Sequence, residues 1–295
     1  MARKCEEEVR STCRGETDST RLLGDKMARA ENPAHLPLTG IVVTFNEGRH
    51  LRQCLERLDF CDETVVVDLG STDDSLEVAA QMNARIVHHP WVAVVEEVRS
   101  FAVAQASTDW VVFMDPDQLL PESIHPKLVE TVRRNARAAI VGIDMRNYFK
   151  GKPLRHGRWG SILCHPVMMN KHAVVLSPFV HQGVTPRPGY EWIALGGGDE
   201  NTIVHYWADS WGQLLRKARR YLREEGAARH HQGRRTNWAR AAFAAGRMLW
   251  RSLVVRRGFM DGFDGVLLSF LSAWYEWNAH VSLIRYQANE RAKRT

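Results

Sequence analysis

The stretch VVFMDPDQLLP, residues 111–121, decides the fold class and raises the first question about function. Its apolar half is typical of a buried strand, and the strand ends at two aspartates, Asp115 and Asp117, on either side of Pro116. Carboxylates so close together repel each other, so water or a cation must offset their charge. The ordinary interpretation is a solvated Asp-Pro turn. The functional alternative is Mg²⁺ or Mn²⁺, which prefer oxygen ligands, bound where both side chains point the same way.

Apolar strands alternate with helical patterns before this stretch. We predict strands at residues 41–43, 63–68, 84–88 and 110–114, with a helix after each of the first three. This alternation predicts an α/β fold with a mostly parallel sheet covered by helices on both faces. Ligands of such sheets bind at the carboxyl ends of the strands. The polar groups that follow the strands, at 46–47, 68, 71–74 and 115–117, are therefore expected to converge on one site.

The pattern changes after residue 137. Short strands are predicted at 139–145, 167–169, 173–176 and 202–205, with Gly/Pro-rich loops that would cover the mouth of the site. Helices are predicted at 210–225, 236–256 and 262–286. We therefore divide the chain into a polar, disordered arm (1–37), an α/β domain (38–207) and a basic helical extension (208–295).

The positive charge of the chain is concentrated in the extension. The 295 residues carry a net charge of +6. Between residues 216 and 257 there are thirteen Lys/Arg but only two acids, Glu224 and Glu225. Such a block suits phosphates, an anionic membrane surface or nucleic acid, and a solvated helical face explains it equally well. Few aromatic residues lie within the block, which argues mildly against nucleic acid.

Cysteine usage and hydropathy predict a cytoplasmic protein. The five cysteines include no CxxC pair, which fits a reducing compartment better than a disulfide framework. The first residues contain no apolar signal segment. The most apolar late stretch, 266–286, carries Glu276 and Arg285, so we interpret it as a packed or amphipathic helix. Peripheral contact with the inner face of a membrane, through the basic helices, and oligomerisation both remain open.

Several common motifs are absent from the sequence. There is no GxGxxG, no GxxxxGK[ST], no HExxH and no GxSxG. Their absence argues against a dinucleotide-dependent oxidoreductase, a P-loop NTPase, a zincin protease and an α/β-hydrolase.

The order of the remaining motifs resembles the family-2 inverting glycosyltransferases of the GT-A fold, in particular the branch with lipopolysaccharide-core glucosyltransferases and peptide S-glycosyltransferases. The segments that carry the resemblance are 45–47 (FNE), 62–73 (DETVVVDLGSTD), 91–102, 109–117 (DWVVFMDPD), 156–159, 180–181, 204–206 and 258–262. The resemblance implies a GT-A Rossmann-like sheet with a C-terminal helical extension. It also implies metal-dependent transfer of a sugar from a nucleotide-sugar donor, most simply a UDP-sugar. The acceptor would be a specialised natural product, a peptide or a lipid-linked glycan.

The resemblance also implies a role for each matching residue. Asp117 would bind the metal directly, Asp115 would lie nearer the ribose and the metal-bound waters, and His205 would be a further metal ligand. Arg99 would face the diphosphate or the sugar. The residues implied to hold the nucleotide or the sugar are Thr44, Phe45, Glu47, Asp68, Ser71 and Trp159. Taken singly, Trp159 and His205 are explained as well by ordinary packing.

The sequence departs from the family pattern where a general base is expected. Gln118 stands where the family has a glutamate after DxD, and Gln182 stands where it has His-Glu. An inverting transfer needs a group that takes the acceptor proton, which glutamine cannot do. The substitute candidates are Asp199, Glu200 and Glu191, with His181 shaping the acceptor pocket.

Two other classes of function stay open at this point. One is a sugar-nucleotide or nucleic-acid binding protein without catalysis. The other is a nucleotidyltransferase, although that class usually has a basic, Gly-rich loop after the first strand, and residues 44–48 (TFNEG) are acidic instead.

Overall fold

The computed structural model describes residues 35–180, 182–196 and 198–293. Its strands are β1 (Leu38–Thr44), β2 (Glu63–Asp68), β3 (Arg85–His88), β4 (Trp110–Met114), β5 (Gln118–Leu119), β6 (Ala138–Phe149), β7 (Lys152–Pro153), β8 (Leu163–Asn170), β9 (Val174–Leu176), β10 (Val184–Pro186), β11 (Glu191–Leu195) and β12 (Ile203–Ala208). Its α-helices are α1 (Gly48–Glu56), α2 (Ser75–Gln81), α3 (Val95–Ala104), α4 (Ile124–Arg134), α5 (Trp211–His231), α6 (Trp238–Trp250) and α7 (Gly262–Ala292). A 3-10 turn spans Asp199–Asn201, a π-helical turn Arg251–Val255, and a second 3-10 turn Gly258–Asp261.

The first four strands form a parallel sheet in the order β3-β2-β1-β4. In the register of the sheet, Thr44 lies opposite Asp68 and Val42 lies opposite Met114. The polar residues that follow β1, β2 and β4 therefore lie at one edge of the sheet. The predicted fold class, a mostly parallel α/β sheet with helices around it, is confirmed.

The sheet continues beyond β4 through strands of mixed direction, in the order β8-β6-β12-β5. Strand β8 is antiparallel to both β4 and β6, whereas β12 is parallel to β6. The two-residue strand β5 pairs antiparallel with β12, and Gln118 lies opposite His205. This pairing brings the loop after β4 against β12, although more than eighty residues separate them in the chain.

The core lies on both faces of the sheet, as the alternation of buried side chains within single strands requires. Val42 and Val66 pack with Leu51 and Leu55 of α1 on one face. Ile41 and Val65, each one residue earlier in its strand, pack on the opposite face with residues of α3. Both faces of the central parts of β1 and β2 are therefore removed from water, which explains the apolar runs at residues 41–43 and 65–67.

The C-terminal helices pack against the sheet domain and against each other. Phe149 and Ala208, at the ends of β6 and β12, share a core cluster with Leu214 of α5 and Leu268 of α7. None of the helices that the structure describes is both long enough and apolar enough to cross a membrane.

Several element boundaries differ from the prediction. No helix was predicted at the position of α4. Helix α5 runs to His231 rather than to residue 225, and β6 is twelve residues long where a strand was predicted only at 139–145. Of the predicted disordered arm, only residues 35–37 lie within the described part of the chain. There the imidazole Nε2 of His35 lies 2.7 Å from the carboxylate of Asp62, so order begins before Leu38.

Candidate active site

The site is built where the loop after β4 meets β12. The β5–β12 pairing places Asp117 beside His205, with 3.4 Å between Asp117 Oδ1 and His205 Nε2. The backbone carbonyl of Asp117 also accepts a 2.8 Å hydrogen bond from the backbone amide of Tyr206. Two of the three predicted metal ligands are thus in contact. Among residues 35–180, 182–196 and 198–293, no group of three His, Cys, Asp or Glu side chains is arranged to hold a metal.

A lysine from the C-terminal extension neutralises Asp117. Lys217, on α5, places its Nζ 2.9 Å from Asp117 Oδ2, and the same ammonium donates to the Trp207 carbonyl at 3.3 Å. Asp117 is buried, and burial alone would raise its pKa. The positive charge of Lys217 and the contact with His205 outweigh that effect and hold the pKa of Asp117 well below its usual range. Asp117 is therefore a carboxylate.

The second aspartate has the opposite electrostatic environment. Burial and the negative charge of Asp117 both raise the pKa of Asp115 above its usual value. The side-chain amide of Gln118 donates to Asp115 Oδ2 at 2.9 Å, and its Oε1 accepts from the Asp115 backbone amide at 3.3 Å. Gln118 thus fixes the orientation of Asp115, in a position where a glutamate would add a third negative charge.

The tautomer of His205 follows from its neighbours. Asn147, on β6, donates from Nδ2 to the Trp159 carbonyl at 2.9 Å, so its Oδ1 is the atom that faces His205 Nδ1 at 2.8 Å. An amide oxygen only accepts, so His205 Nδ1 carries the proton. When Nε2 also carries a proton, the ring is an imidazolium that donates to Asp117; when it does not, the Nε2 lone pair points at an oxygen of Asp117. Two such electron-rich atoms in contact call for a proton or a metal cation between them.

The loops after β1 and β2 are tied together by Asn46. Its side-chain Oδ1 accepts from the backbone amides of Thr72 and Asp73, at 2.7 and 3.3 Å, while its backbone amide donates to Ser71 Oγ at 3.0 Å. Asn46 adopts a φ of 56°, a left-handed conformation that asparagine tolerates better than most residues.

The buried carboxylate of Asp68 organises the same edge of the sheet. It accepts from the backbone amides of Gly70 and Ser71, both at 3.0 Å. Burial opposes ionisation, but these bonds and the contact with Ser71 prevail, so the pKa of Asp68 is lowered. Asp68 thus remains charged and holds the loop in shape.

Glu47 has a strongly raised pKa. Burial, followed by the charge of Asp117, raises its pKa to about 7, against the opposing effects of Lys217 and Arg220. Phe45, two residues earlier, is partly exposed and meets the ring of Trp91 edge-on, with 6.4 Å between the ring centroids. The loop after β1 therefore offers one aromatic face and one readily protonated carboxyl group.

Four buried polar atoms around this site have no hydrogen-bond partner among the described residues. They are Thr44 Oγ1, Arg99 Nη1, Trp159 Nε1 and Arg220 Nε. The Arg99 guanidinium lies 5.5 Å from the centre of the Phe113 ring, and Trp159 packs on Trp207 with 4.5 Å between the ring centroids. Buried polar groups are seldom left unpaired, so unpaired donors gathered at the end of a sheet indicate a place for a ligand with acceptor oxygens.

Comparison with known proteins identifies the family. Residues 39–181 match the family model described as Glycosyl transferase family 2. Residues 39–181 form a glycosyltransferase family 2 domain. The match runs from the second residue of β1 into the segment between β9 and β10, so it includes the loops after β1, β2 and β4.

Two curated relatives resemble most of the chain. An uncharacterized glycosyltransferase of Rickettsia prowazekii is 25% identical, with 80% of this chain and 83% of that protein covered. The lipopolysaccharide core biosynthesis glycosyltransferase LpsC of Rhizobium meliloti is also 25% identical, with 83% of this chain and 94% of that protein covered. Glucosyl-3-phosphoglycerate synthase of Mycobacterium tuberculosis is a similar solved structure at 16% identity and a TM-score of 0.47, covering 72% of this chain and 86% of that chain.

The structure does not bring the predicted substitute bases to the site of this transferase. Glu191 pairs with Arg137 and lies opposite Ala138, nine residues and about 30 Å along β6 from Asn147. Asp199 lies 3.0 Å from Arg146, whose side chain points to the face of β6 opposite that of Asn147. Glu200 is exposed and accepts from the neighbouring Asn201. His181 lies outside the described residues.

The structure reveals three site residues that the sequence analysis did not single out. Asn147 orients His205, Lys217 neutralises Asp117, and Arg220 follows Lys217 by about one helical turn. The cations of α5 were visible in the sequence as part of the basic block. The sequence did not show where these cations lie, because the packing of α5 against β12 decides which side of that helix faces Asp117.

Proposed function

We propose that this family-2 transferase moves a sugar from a nucleotide-sugar donor, a UDP-sugar, to an acceptor hydroxyl with inversion at the anomeric carbon, and that it needs Mg²⁺ or Mn²⁺. The convergence of Asp117, His205 and Lys217 carries this proposal. One carboxylate, one imidazole and one ammonium meet at the carboxyl ends of the strands, where an α/β sheet binds its ligand.

The residues present fit a divalent cation. Asp117 is ionised, and His205 presents an Nε2 lone pair to the same space, because Asn147 holds the proton on Nδ1. Mg²⁺ and Mn²⁺ typically take one or two protein ligands and complete their coordination with water and substrate phosphates. A two-residue site therefore suits a cation that arrives with a nucleotide diphosphate. When bound, such a cation supplies Lewis-acid stabilisation to the departing diphosphate.

The unpaired cationic groups of the site suit the diphosphate itself. Arg99 and Arg220 each have a buried guanidinium nitrogen without a partner, and Lys217 has already lost most of its contact with water. Charge that develops on a leaving group is stabilised most where such groups are pre-oriented and shielded from solvent. We assign Lys217, Arg99 and Arg220 to the diphosphate.

The loops after β1 and β2 suit the nucleoside. Thr44 offers an unpaired hydroxyl, and Phe45 and Trp91 present aromatic faces at the mouth. Asp68 and Ser71 shape the loop through the bonds described above. We assign Thr44, Phe45, Glu47 and Asp68 to the base and ribose, and Trp159 to the sugar.

Metal-dependent nucleotide binding tests the proposal. The wild-type protein is expected to unfold at a higher temperature with UDP and Mn²⁺ together than with either alone. At a ligand concentration 100 times the dissociation constant, the free energy of unfolding should rise by about 2.7 kcal/mol. Asp117→Asn should abolish the metal-dependent part of the shift, because the variant loses the anionic metal ligand.

Asp109→Asn is the matched control, since Asp109 is exposed and lies at the opposite end of β4 from Asp117. This control should bind the nucleotide and the metal as the wild type does. A wild-type protein that responds to none of a panel of nucleoside diphosphates with Mn²⁺, or an Asp117→Asn variant with the full response, would refute the donor-site assignment.

A further inference from the structure

Large apolar side chains are exposed in an unusual concentration between residues 238 and 274. Phe263 is 76% exposed, Phe243 72%, and Trp250 and Val255 each 61%. The others are Trp238, Val254, Phe259, Met260, Phe270 and Trp274. Single exposed apolar residues are ordinary on protein surfaces, but ten within 37 residues indicate a surface that is covered by something else.

Helical spacing aligns these side chains into ridges. On α6 and the π-helical turn that follows, Phe243, Arg247, Trp250 and Val254 recur at intervals of four, three and four residues, so they share one outward side. Ala241 and Ser252 are buried on the inward side. Helix α6 and the π-helical turn thus expose large apolar side chains on the side opposite their buried residues.

Helix α7 has a similar ridge, formed by Phe263, Phe270 and Trp274 at intervals of seven and four residues. The segment between Trp250 and Phe263 turns the chain from α6 into α7 and exposes Val254, Val255, Phe259 and Met260. We call residues 250–263 the α6–α7 tip.

The surroundings of the tip are strongly basic. No aspartate or glutamate occurs between Glu225 and Asp261. The same interval contains seven exposed arginines: Arg234, Arg235, Arg240, Arg247, Arg251, Arg256 and Arg257. Long cationic side chains among exposed aromatic ones match a surface with negative headgroups above an apolar interior, since arginine can lay its stem along apolar material and keep its charge in water.

We propose that the α6–α7 tip docks on an anionic phospholipid membrane, with its apolar side chains in the interface and its arginines on the headgroups. A second copy of the chain fits this surface less well. A twofold interface would bring the arginines of one tip against those of the other, and the one acidic residue of the tip, Asp261, is already bound to His156. Membrane docking goes beyond the proposed sugar transfer and does not depend on it.

The tip is rigidly connected to the candidate active site. The amide of Gly157 donates to the Arg256 carbonyl at 2.9 Å, the amide of Arg158 to Ser252 Oγ at 3.0 Å, and the amide of His156 to Asp261 Oδ2 at 2.9 Å. Trp159 comes next in the chain, and its carbonyl holds Asn147 and, through it, His205. When the tip is docked, these hydrogen bonds hold the candidate active site at a fixed distance from the membrane. Such a position would suit an acceptor that is embedded in that membrane.

Vesicle sedimentation with the full-length protein tests this inference. We expect binding to vesicles of phosphatidylcholine with phosphatidylglycerol, weaker binding to phosphatidylcholine alone, and a decline with added salt. The double variant Trp250→Ser/Phe263→Ser should bind anionic vesicles about tenfold more weakly or worse, because it removes two interfacial aromatic groups. The triple variant Arg247→Gln/Arg251→Gln/Arg256→Gln should lose the preference for anionic lipid.

Matched changes elsewhere provide the controls. Leu163→Ser/Val175→Ser removes two other exposed apolar side chains, from β8 and β9, and Arg133→Gln/Arg134→Gln removes exposed charge from α4. Both should bind vesicles as the wild type does. Nucleotide-induced thermal shifts of every variant reveal misfolding and test the donor site separately.

Three results would overturn the proposal. The first is no binding to either kind of vesicle by a folded wild-type protein. The second is equal binding by the wild type and both tip variants. The third is a dimer, seen by light scattering, that the Trp250→Ser/Phe263→Ser variant disperses, because the tip would then be covered by a second copy.

Discussion

At the scale of single residues, the central feature is the unequal environment of Asp115 and Asp117. Lys217 and His205 keep Asp117 ionised, whereas burial and the charge of Asp117 favour a proton on Asp115. Two carboxyl groups separated by one residue therefore differ in how readily they ionise before any ligand arrives. Asp117 is the readier of the two to bind a cation, and Asp115 is held in place by the side-chain amide of Gln118.

Because Lys217 is paired with Asp117, we expect the removal of its charge to change the affinities for Mn²⁺ and for UDP in opposite directions. In Lys217→Met, an oxygen of Asp117 is freed, so Mn²⁺ alone should bind more tightly than to the wild type. UDP with saturating Mn²⁺ should bind about tenfold more weakly, because a charge-assisted bond is typically worth about 1.5–3 kcal/mol. Isothermal titration of both ligands measures the two effects separately.

Arg223→Met is the control for this experiment, because Arg223 lies on the same helix but is exposed. It should leave both affinities at their wild-type values. If Lys217→Met also leaves both affinities unchanged, the ammonium has no part in donor binding and serves packing alone.

The raised pKa of Glu47 predicts how stability depends on pH. Folding raises this pKa from 4.5 to about 7, so ionised Glu47 is disfavoured in the folded state. Below pH 4.5, Glu47 is protonated in both the folded and the unfolded state and does not change the free energy of unfolding. As the pH rises from 4.5 to 7, Glu47 ionises in the unfolded chain but not yet in the folded protein, so the folded state becomes less stable. Glu47→Gln removes the charge, so the variant should gain on the order of 2 kcal/mol relative to wild type between pH 5 and pH 8.

Urea unfolding with a metal chelator present measures this gain. The exposed Glu56→Gln on α1 is the control and should follow the wild-type curve. Equal slopes of stability against pH for wild type and Glu47→Gln would show that Glu47 ionises as freely in the folded protein as in the unfolded chain.

At the scale of elements, the sequence predicted those parts of the fold that carry their own periodic pattern. Strands β1, β2 and β4 were identified because each contains a short continuous apolar run that is buried on both faces. The resemblance to glycosyltransferase family 2 is confirmed over residues 39–181, and the predicted mostly parallel α/β sheet is confirmed as well. The assignments of single residues to the metal, donor and acceptor stay predictions.

The elements that complete the site carry no such pattern. Strand β5 has two residues, too few for any periodicity, yet its pairing with β12 brings Asp117 to His205. Residues 216–225 were correctly predicted to be helical, but the side of α5 that faces the site depends on its packing. For this reason Lys217 was counted in the basic block and not in the site.

At the scale of the whole molecule, the helical extension and the sheet domain share one buried interior. Glu225 of α5 pairs with Arg229 at 2.8 Å and accepts from the hydroxyl of Tyr275 on α7 at 2.8 Å. Arg229 also pairs with Glu276 at 3.2 Å. Phe149 of β6 packs against Leu214 and Trp211 of α5. The boundary that we predicted at residue 207 therefore crosses a continuous core.

Truncation at that boundary tests whether residues 38–207 form an independent domain. A chain that ends at residue 207 loses Lys217 and leaves Phe149 and Leu154, both buried in the full chain, open to solvent. Burying a side chain of this size typically contributes about 1.5–3 kcal/mol, a large fraction of the stability of a domain. We expect no cooperative thermal unfolding and no metal-dependent response to UDP.

A chain that lacks only residues 289–295, which follow the last buried position of α7, is the control and should keep both properties. A truncated chain that unfolds cooperatively and still binds UDP with Mn²⁺ would instead establish two separable domains and exclude α5 from the donor site.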